Sequence, residues 1–221
     1  MILMMLGAQG TGKGTVAGIL STELGIPQVS TGDIFRKNIS EGTALGIEAN
    51  KYISKGDLVP DEITVPMLES RLKEEDAKNG AILDGFPRTI EQAQKLDEML
   101  NKMGKRVDLV VNLVTPKEEI IDRMLTRRVC TNQECKTTYN TKLHPPKVEG
   151  ICDKCGAPLK QREDDSDPEA IKRRLDIYEE KTSPLVNFYE EKGILQTETV
   201  STAVNRMGAD VARDLVEKLK W

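Results

Sequence analysis

The stretch "GAQGTGKGT", Gly7 to Thr15, follows the apolar run "MILMML". Gly7, Gly10, Gly12 and Gly14 let a backbone curl so that successive N–H groups face inward and approach an anion closely. A helix starting at Lys13 would add the positive end of its dipole, and Lys13 itself a mobile point charge for a phosphoryl group in transfer. The hydroxyl expected directly after such a lysine is displaced by one residue, because Gly14 stands before Thr15. The competing reading is a glycine-rich turn with a solvated lysine; an apolar run before and a helix after favour the phosphate cradle.

A second constellation is "DGFPRT", residues 84 to 89. Asp84 ends the apolar run "AILD", where ligands gather in open α/β sheets, and a carboxylate there can hold the water shell of Mg²⁺. Arg88 offers a planar fork for a phosphate. Gln92 lies four residues on, on the same helical face, with an amide that can donate to and accept from a base edge. Arg123 and Arg127 share the same spacing, on what reads as one helix.

Cys130, Cys135, Cys152 and Cys155 form two close pairs, "CTNQEC" and "CDKC". Two pairs of thiols separated by sixteen residues suit a closed tetrahedral site, structural rather than catalytic, with zinc the expected metal and iron chemically compatible. His144, the single histidine, reads as a packing or surface residue, since four thiolates suffice.

These groups need elements to position them. Residues 1–6, 81–84, 107–114 and 194–200 read as buried strands. Helices are predicted over 13–24, 31–40, 46–55, 63–79 and 88–104, then from a Thr115 cap with Glu118 completing a capping box. A long helix is predicted from an Asp167 cap to about Lys192, bent at Pro184, and a last one to Trp221. Apolar runs alternating with helices predict an α/β fold with a parallel sheet covered on both faces. From Cys130 to about Leu159 the alternation gives way to turns, prolines and cysteines, which predicts a separate lobe.

The 221 residues fit one domain with inserted lobes, and 38% hydrophobic against 31% charged residues suits a water-facing globule. A net charge of −4 argues against a general nucleic-acid binder. The apolar start is too short for a signal peptide and no run approaches a membrane span, so no membrane partner and a cytoplasmic location are expected.

Taken together, "GxxGxGKGT", "STGDIFR", "DGFPRT" and the cysteine-bearing segment with "PPKVEG" resemble the adenylate kinases, in their long-lid form with a four-cysteine zinc site, over nearly the whole chain. The resemblance implies a P-loop NTPase-type doubly wound parallel sheet: a core of 1–29, 60–126 and 166–221, a monophosphate-binding (NMP) lobe at 30–59 and a zinc-ribbon-like lid at 127–165. It implies transfer of a phosphoryl group from MgATP to AMP, giving two ADP, by a monomer with structural Zn²⁺. On that resemblance ATP meets Gly10, Thr11, Gly12, Lys13, Gly14, Thr15, Arg123, Arg127, Thr138 and Tyr139. AMP meets Thr31, Arg36, the backbone of Asp57, Leu58 and Val59, then Gly85, Phe86, Pro87, Arg88 and Gln92. Arg162 and Arg174 reach across both nucleotides, although Arg173 competes for that place because the chain is one residue longer there. Lys13, Arg88, Arg123, Arg127, Arg162 and Arg174 form the implied catalytic set. Gln9 departs from the family's usual proline, and "VSTAVNR" lacks the family's glycine near the ATP adenine.

Two other readings remain open at this level. A kinase for UMP, CMP or GMP would share the loop and arginines. A zinc-ribbon binding module would need a basic ribbon, yet residues 127–165 carry eight Lys/Arg against six Asp/Glu.

Overall fold

The computed structural model describes residues 1–132 and 134–219, and of Glu163 the backbone only. Five parallel strands form the central sheet in the order β2-β3-β1-β4-β8. They are β1 (Ile2–Leu6), β2 (Gln28–Ser30), β3 (Ala81–Asp84), β4 (Leu109–Val114) and β8 (Leu195–Thr199). β1 lies at the centre, paired with β3 from Ile2↔Ala81 and with β4 from Leu3↔Leu109.

Alternation along β1 explains why its run is wholly apolar. Ile2, Met4 and Leu6 face one layer with Leu83, Phe86, Leu96 and Tyr189; Leu3 and Met5 face another with Val16, Leu20, Val111 and Leu215. Side chains of a strand alternate between faces, so a sheet covered twice needs apolar residues at every position. The first layer is closed by α4 (Asp61–Leu72), α5 (Ile90–Lys102) and α8 (Pro184–Glu191), the second by α1 (Lys13–Leu24) and α9 (Gly208–Leu219).

Between β2 and α4, α2 (Thr31–Ser40) and α3 (Ala44–Ile53) carry a small core of Phe35, Ala49 and Val59. After α6 (Lys117–Leu125), an antiparallel sheet of β5 (Arg127–Cys130), β6 (Thr138–Asn140) and β7 (Leu159–Lys160) bears the cysteines, with β5 in the middle. α7 (Pro168–Ile177) returns the chain to the core.

Several boundaries correct the sequence expectations. The helix predicted to Asn79 ends at Leu72, and a 3-10 turn, Glu75–Ala77, follows. The guanidinium of Arg71 bridges that break by donating to both oxygens of Asp76, at 2.8 and 2.7 Å. Helix α5 starts at Ile90, not Arg88, because the Thr89 hydroxyl caps it by accepting from Gln92 N–H. Helix α3 starts before Gly46, capped by Thr43. Thr115 does not cap α6; its hydroxyl donates to the Val200 carbonyl at 2.7 Å, and Pro116 occupies the cap position.

The helix expected from Asp167 to Lys192 is interrupted. Asp167 does cap it, but a π-turn at Tyr178–Thr182 precedes Pro184, whose missing N–H removes one rung of the ladder. The last described helix ends at Leu219; the predicted end at Trp221 lies outside the described residues. Among the described residues no helix is long and apolar enough to cross a membrane.

Candidate functional site: a glycine loop and a cavity beside Asp84

Gly7 to Gly12 connect the C-terminal end of central β1 to the first turn of α1. Gly7 has φ +131, and a Cβ there would stand 2.4 Å from the Leu113 carbonyl, so only glycine allows the loop to pass this close to β4. Gly10 has φ +81 and would meet Ile120 and Met124 of α6 at 3.2 Å. The Thr11 hydroxyl donates to Ala8 O, and Lys13 Nζ folds back on Gly7 O and Ala8 O, at 2.7 Å each. Lys13, in the first turn of α1, thus closes over the loop that joins β1 to that helix. A Cβ at Gly14 would lie 3.9 Å from Asp84 Oδ2, so the end of β3 faces the start of α1.

Beside Asp84 a small cavity of about 70 Å³ opens to solvent. Its walls include Thr31, Arg36, Asp57, Leu58, Val59, Gly85, Phe86, Arg88, Gln92 and Arg174. Every residue that the resemblance assigned to AMP is thus here, apart from Pro87 and Arg162. The peptide between Phe86 and Pro87 is cis. Gly85, with φ +84, brings its backbone beneath Thr31 and Arg88. Arg88 Nε donates to Gly85 O at 2.9 Å. Gln92 is 4% exposed and both ends of its amide already have partners: Oε1 accepts from Arg88 N–H, and Nε2 donates to Asp61 Oδ1.

Cations crowd this centre. Burial pushes the Lys13 ammonium down to about 8, with Asp84 opposing and Arg88, Arg127 and Arg174 adding to the fall. Burial lowers Arg88 to about 10, helped by Arg174 and Arg36. Arg162 falls to about 9 through burial and its neighbours Arg36 and Arg127. Burial works against charged Arg36 too, but Asp33 and Asp164 outweigh it and raise its pKa. Mutually repelling guanidinium groups partly shielded from water favour an added polyanion.

The aspartates that hold these arginines escaped the sequence reading. Arg127 grips wholly buried Asp165 with Nε and Nη2, at 2.7 and 2.6 Å. Arg174 donates to Asp164 O and pairs with Asp164 Oδ2 and Asp165 Oδ1. Arg173 instead is more than half exposed and pairs with Asp57 at the cavity wall. The signal was the "DD" that follows Arg162 and Glu163, visible but given no role. Glu119 was missed as well: it pairs with Arg123 at 2.8 Å and accepts from the Ser201 hydroxyl and Thr202 N–H. Burial would raise the Glu119 carboxyl, but the Ser201 and Thr202 hydrogen bonds and Arg123 bring it down to about 2.

Arg123 and Arg127 do not share a helix. α6 ends at Leu125, so Arg123 stays on it while Arg127 opens β5. Arg123 Nη2 also reaches Val200 O, and its Nε finds no partner among the described residues.

The four cysteine sulfurs lie within 4.8 Å of one another, with Cys130–Cys155 at 3.4 Å and Cys135–Cys152 at 3.7 Å. A tetrahedron with metal–sulfur bonds of 2.3 Å has edges of about 3.8 Å, so the thiols fit a divalent metal such as zinc. Asn132 Oδ1 accepts from Glu134 and Cys135 N–H, and Lys136 takes φ +48, which together close the longer first knuckle. Thr138 is exposed on β6, and the Tyr139 hydroxyl is 3.5 Å from Cys152 Sγ and accepts from Asp153 N–H. His144 stands outside the cluster.

Fold and site define a phosphate-loop α/β protein whose lysine-bearing glycine loop and arginine-lined cavity lie on either side of Asp84. The adenylate kinase family model matches residues 5–194. The chain is 46% identical over 207 residues to an adenylate kinase of Clostridium kluyveri, spanning 94% of each chain. It is 45% identical over 219 residues to one of Caldicellulosiruptor saccharolyticus, spanning 99% of each, and 49% identical over 195 residues to one of Caldicellulosiruptor bescii, spanning 88% of this chain and 89% of that one. The chain belongs to the adenylate kinase family.

Proposed function

We infer that the chain transfers a phosphoryl group from MgATP to AMP, reversibly, giving two ADP. The observation that carries this is the convergence of Lys13, Arg88, Arg162 and Arg174 on one half-buried region beside Asp84, with pKa values of Lys13, Arg88 and Arg162 depressed by desolvation and by neighbouring arginines. On this reading the triphosphate lies on the loop from Gly10 to Thr15, and AMP fills the cavity with its phosphate at Arg36 and Arg88. Asp84 would hold the water shell of Mg²⁺, which neutralises charge on the phosphates when bound. Catalysis is then positioning plus charge stabilisation, with no covalent intermediate.

The division into a core, an NMP lobe at 30–59 and a lid at 127–165 is supported by the separate small core of α2 and α3 and by the cysteine-bearing sheet. Closure of both over the substrates would exclude water. The protein acts as a cytoplasmic monomer in this reading. A coupled assay across AMP, GMP, CMP and UMP tests it; AMP is expected to be the preferred acceptor, and a preference for another monophosphate would refute it.

Lys13 gives a second expectation. Its pKa is held to about 8 when folded against 10.5 ordinarily, and an arriving triphosphate would raise it again. ATP binding near pH 8 should take up a fraction of a proton, seen as binding enthalpies that differ between buffers of different ionisation enthalpy. Equal enthalpies would contradict it. The same shift sets a stability slope: between pH 8 and 10.5 the unfolded chain binds the extra proton, so this group's contribution to stability improves as pH rises.

Zinc in the four-thiolate site would hold the lid sheet rigid, since that lobe has little core of its own. Elemental analysis should find one zinc per chain. Stripping it, or Cys130→Ser, should lower the first melting transition by roughly 10 °C or more. A metal-free protein with unchanged melting would refute the structural role.

A further inference from the structure

The Gln92 amide has two partners of fixed polarity. Arg88 N–H, a main-chain donor, meets Oε1 at 2.8 Å, and the Asp61 carboxylate meets Nε2 at 2.7 Å. An N–H only donates and an ionised carboxylate only accepts, so these two neighbours alone decide which end of the amide is oxygen. Asp61 opens α4 and Thr89 caps α5 at Gln92 N–H, so two helix starts hold the arrangement. Lys95 Nζ donates to the other oxygen of Asp61 at 2.7 Å. Burial pushes the Asp61 carboxyl up, but the Lys95 and Gln92 hydrogen bonds outweigh it and hold it below the usual range. At neutral pH it remains an acceptor.

We propose that Asp61 is a specificity-determining positioning residue, which fixes the order of donor and acceptor that Gln92 shows to the base and so sets the cavity for 6-aminopurine over 6-oxopurine monophosphates. The inference rests on the AMP reading above. An amide has two N–H groups and two lone pairs; one of each is taken, which leaves one of each in fixed order. Gln92 lines the cavity, so the remaining pair is what a base meets there. A 6-aminopurine presents an amino donor beside the N1 acceptor and can satisfy both. A 6-oxopurine presents an acceptor beside an N1–H donor, the reverse order. To receive it, the amide would have to turn over, setting Oε1 against Asp61 and NH₂ against Arg88 N–H. Two buried contacts of like polarity would result.

The test compares kcat/KM for AMP and for inosine 5′-monophosphate, which differs only at the 6-position and N1. The unaltered protein should prefer AMP by at least about 10³-fold. Asp61→Asn can accept or donate, so it removes one of the two like-polarity contacts that a turned amide would make. The AMP/IMP ratio should then fall by roughly 10- to 100-fold, mainly through a gain in IMP use. A general loss of stability would not move that ratio. A folded Asp61→Asn protein with the original ratio overturns the proposal, as does an unaltered protein that uses IMP as well as AMP. Should Asp61→Asn not fold, Lys95→Met decides, because that lysine is half-exposed and its hydrogen bond goes to Asp61. There a fall of about two- to fivefold supports the proposal and an unchanged ratio overturns it. Failure of the unaltered protein to phosphorylate AMP at all would instead refute the AMP reading.

Discussion

Replacing Lys13 with methionine is expected to lower kcat by about 10³-fold while the melting temperature stays level or rises. The ammonium sits half-buried against Gly7 O and Ala8 O, where desolvation already disfavours its charge. Methionine matches its length without that cost, so the fold loses little. The transferred phosphoryl group loses the one mobile charge that can travel with it. Backbone amides still hold ATP, so KM for ATP should rise much less than kcat falls. A coupled ADP assay and a thermal melt measure both. Full turnover in the Lys13→Met protein would mean that the nest is not the site of transfer.

Arg174→Met is expected to lower kcat by roughly 10²- to 10³-fold, whereas Arg173→Met should stay within about threefold of the original. The two are adjacent on α7, yet their surroundings differ. Arg174 is 17% exposed, lines the cavity and is aimed by Asp164 and Asp165. Arg173 is 58% exposed and makes an ion pair with Asp57, the sort of contact that contributes little. Steady-state kinetics of both variants with AMP and ATP varied separately check this. Equal losses in the two, or a larger loss in Arg173→Met, would show that the α7 register has been misread.

Much of this site is legible in the chain because its groups are local. The nest, "DGFPR" and the cysteine pairs each keep their functional atoms within a few residues, and neighbouring strands bring "GKGT" and Asp84 face to face. Choice between Arg173 and Arg174 was not legible, because adjacent helical residues differ by only about 100° of rotation and the neighbours that decide lie elsewhere. Arg123 and Arg127 misled for a related reason. Their spacing fits a helix, but the chain leaves α6 at Leu125 to build β5. Thr115 carried a good capping sequence, yet a tertiary partner, the Val200 carbonyl, took its hydroxyl. Asp164 and Asp165 look like surface charge in sequence and become buried anchors only when Arg127 and Arg174 arrive from two other elements.

The most direct test of two phosphate sites facing each other across Asp84 is the binding of a dinucleoside pentaphosphate, two adenosines joined through five phosphates. One molecule per chain is expected, competitive with ATP and with AMP alike, and bound far more tightly than either nucleotide. Two independent binding events, or competition with ATP alone, would contradict the head-to-tail arrangement on which the reaction depends.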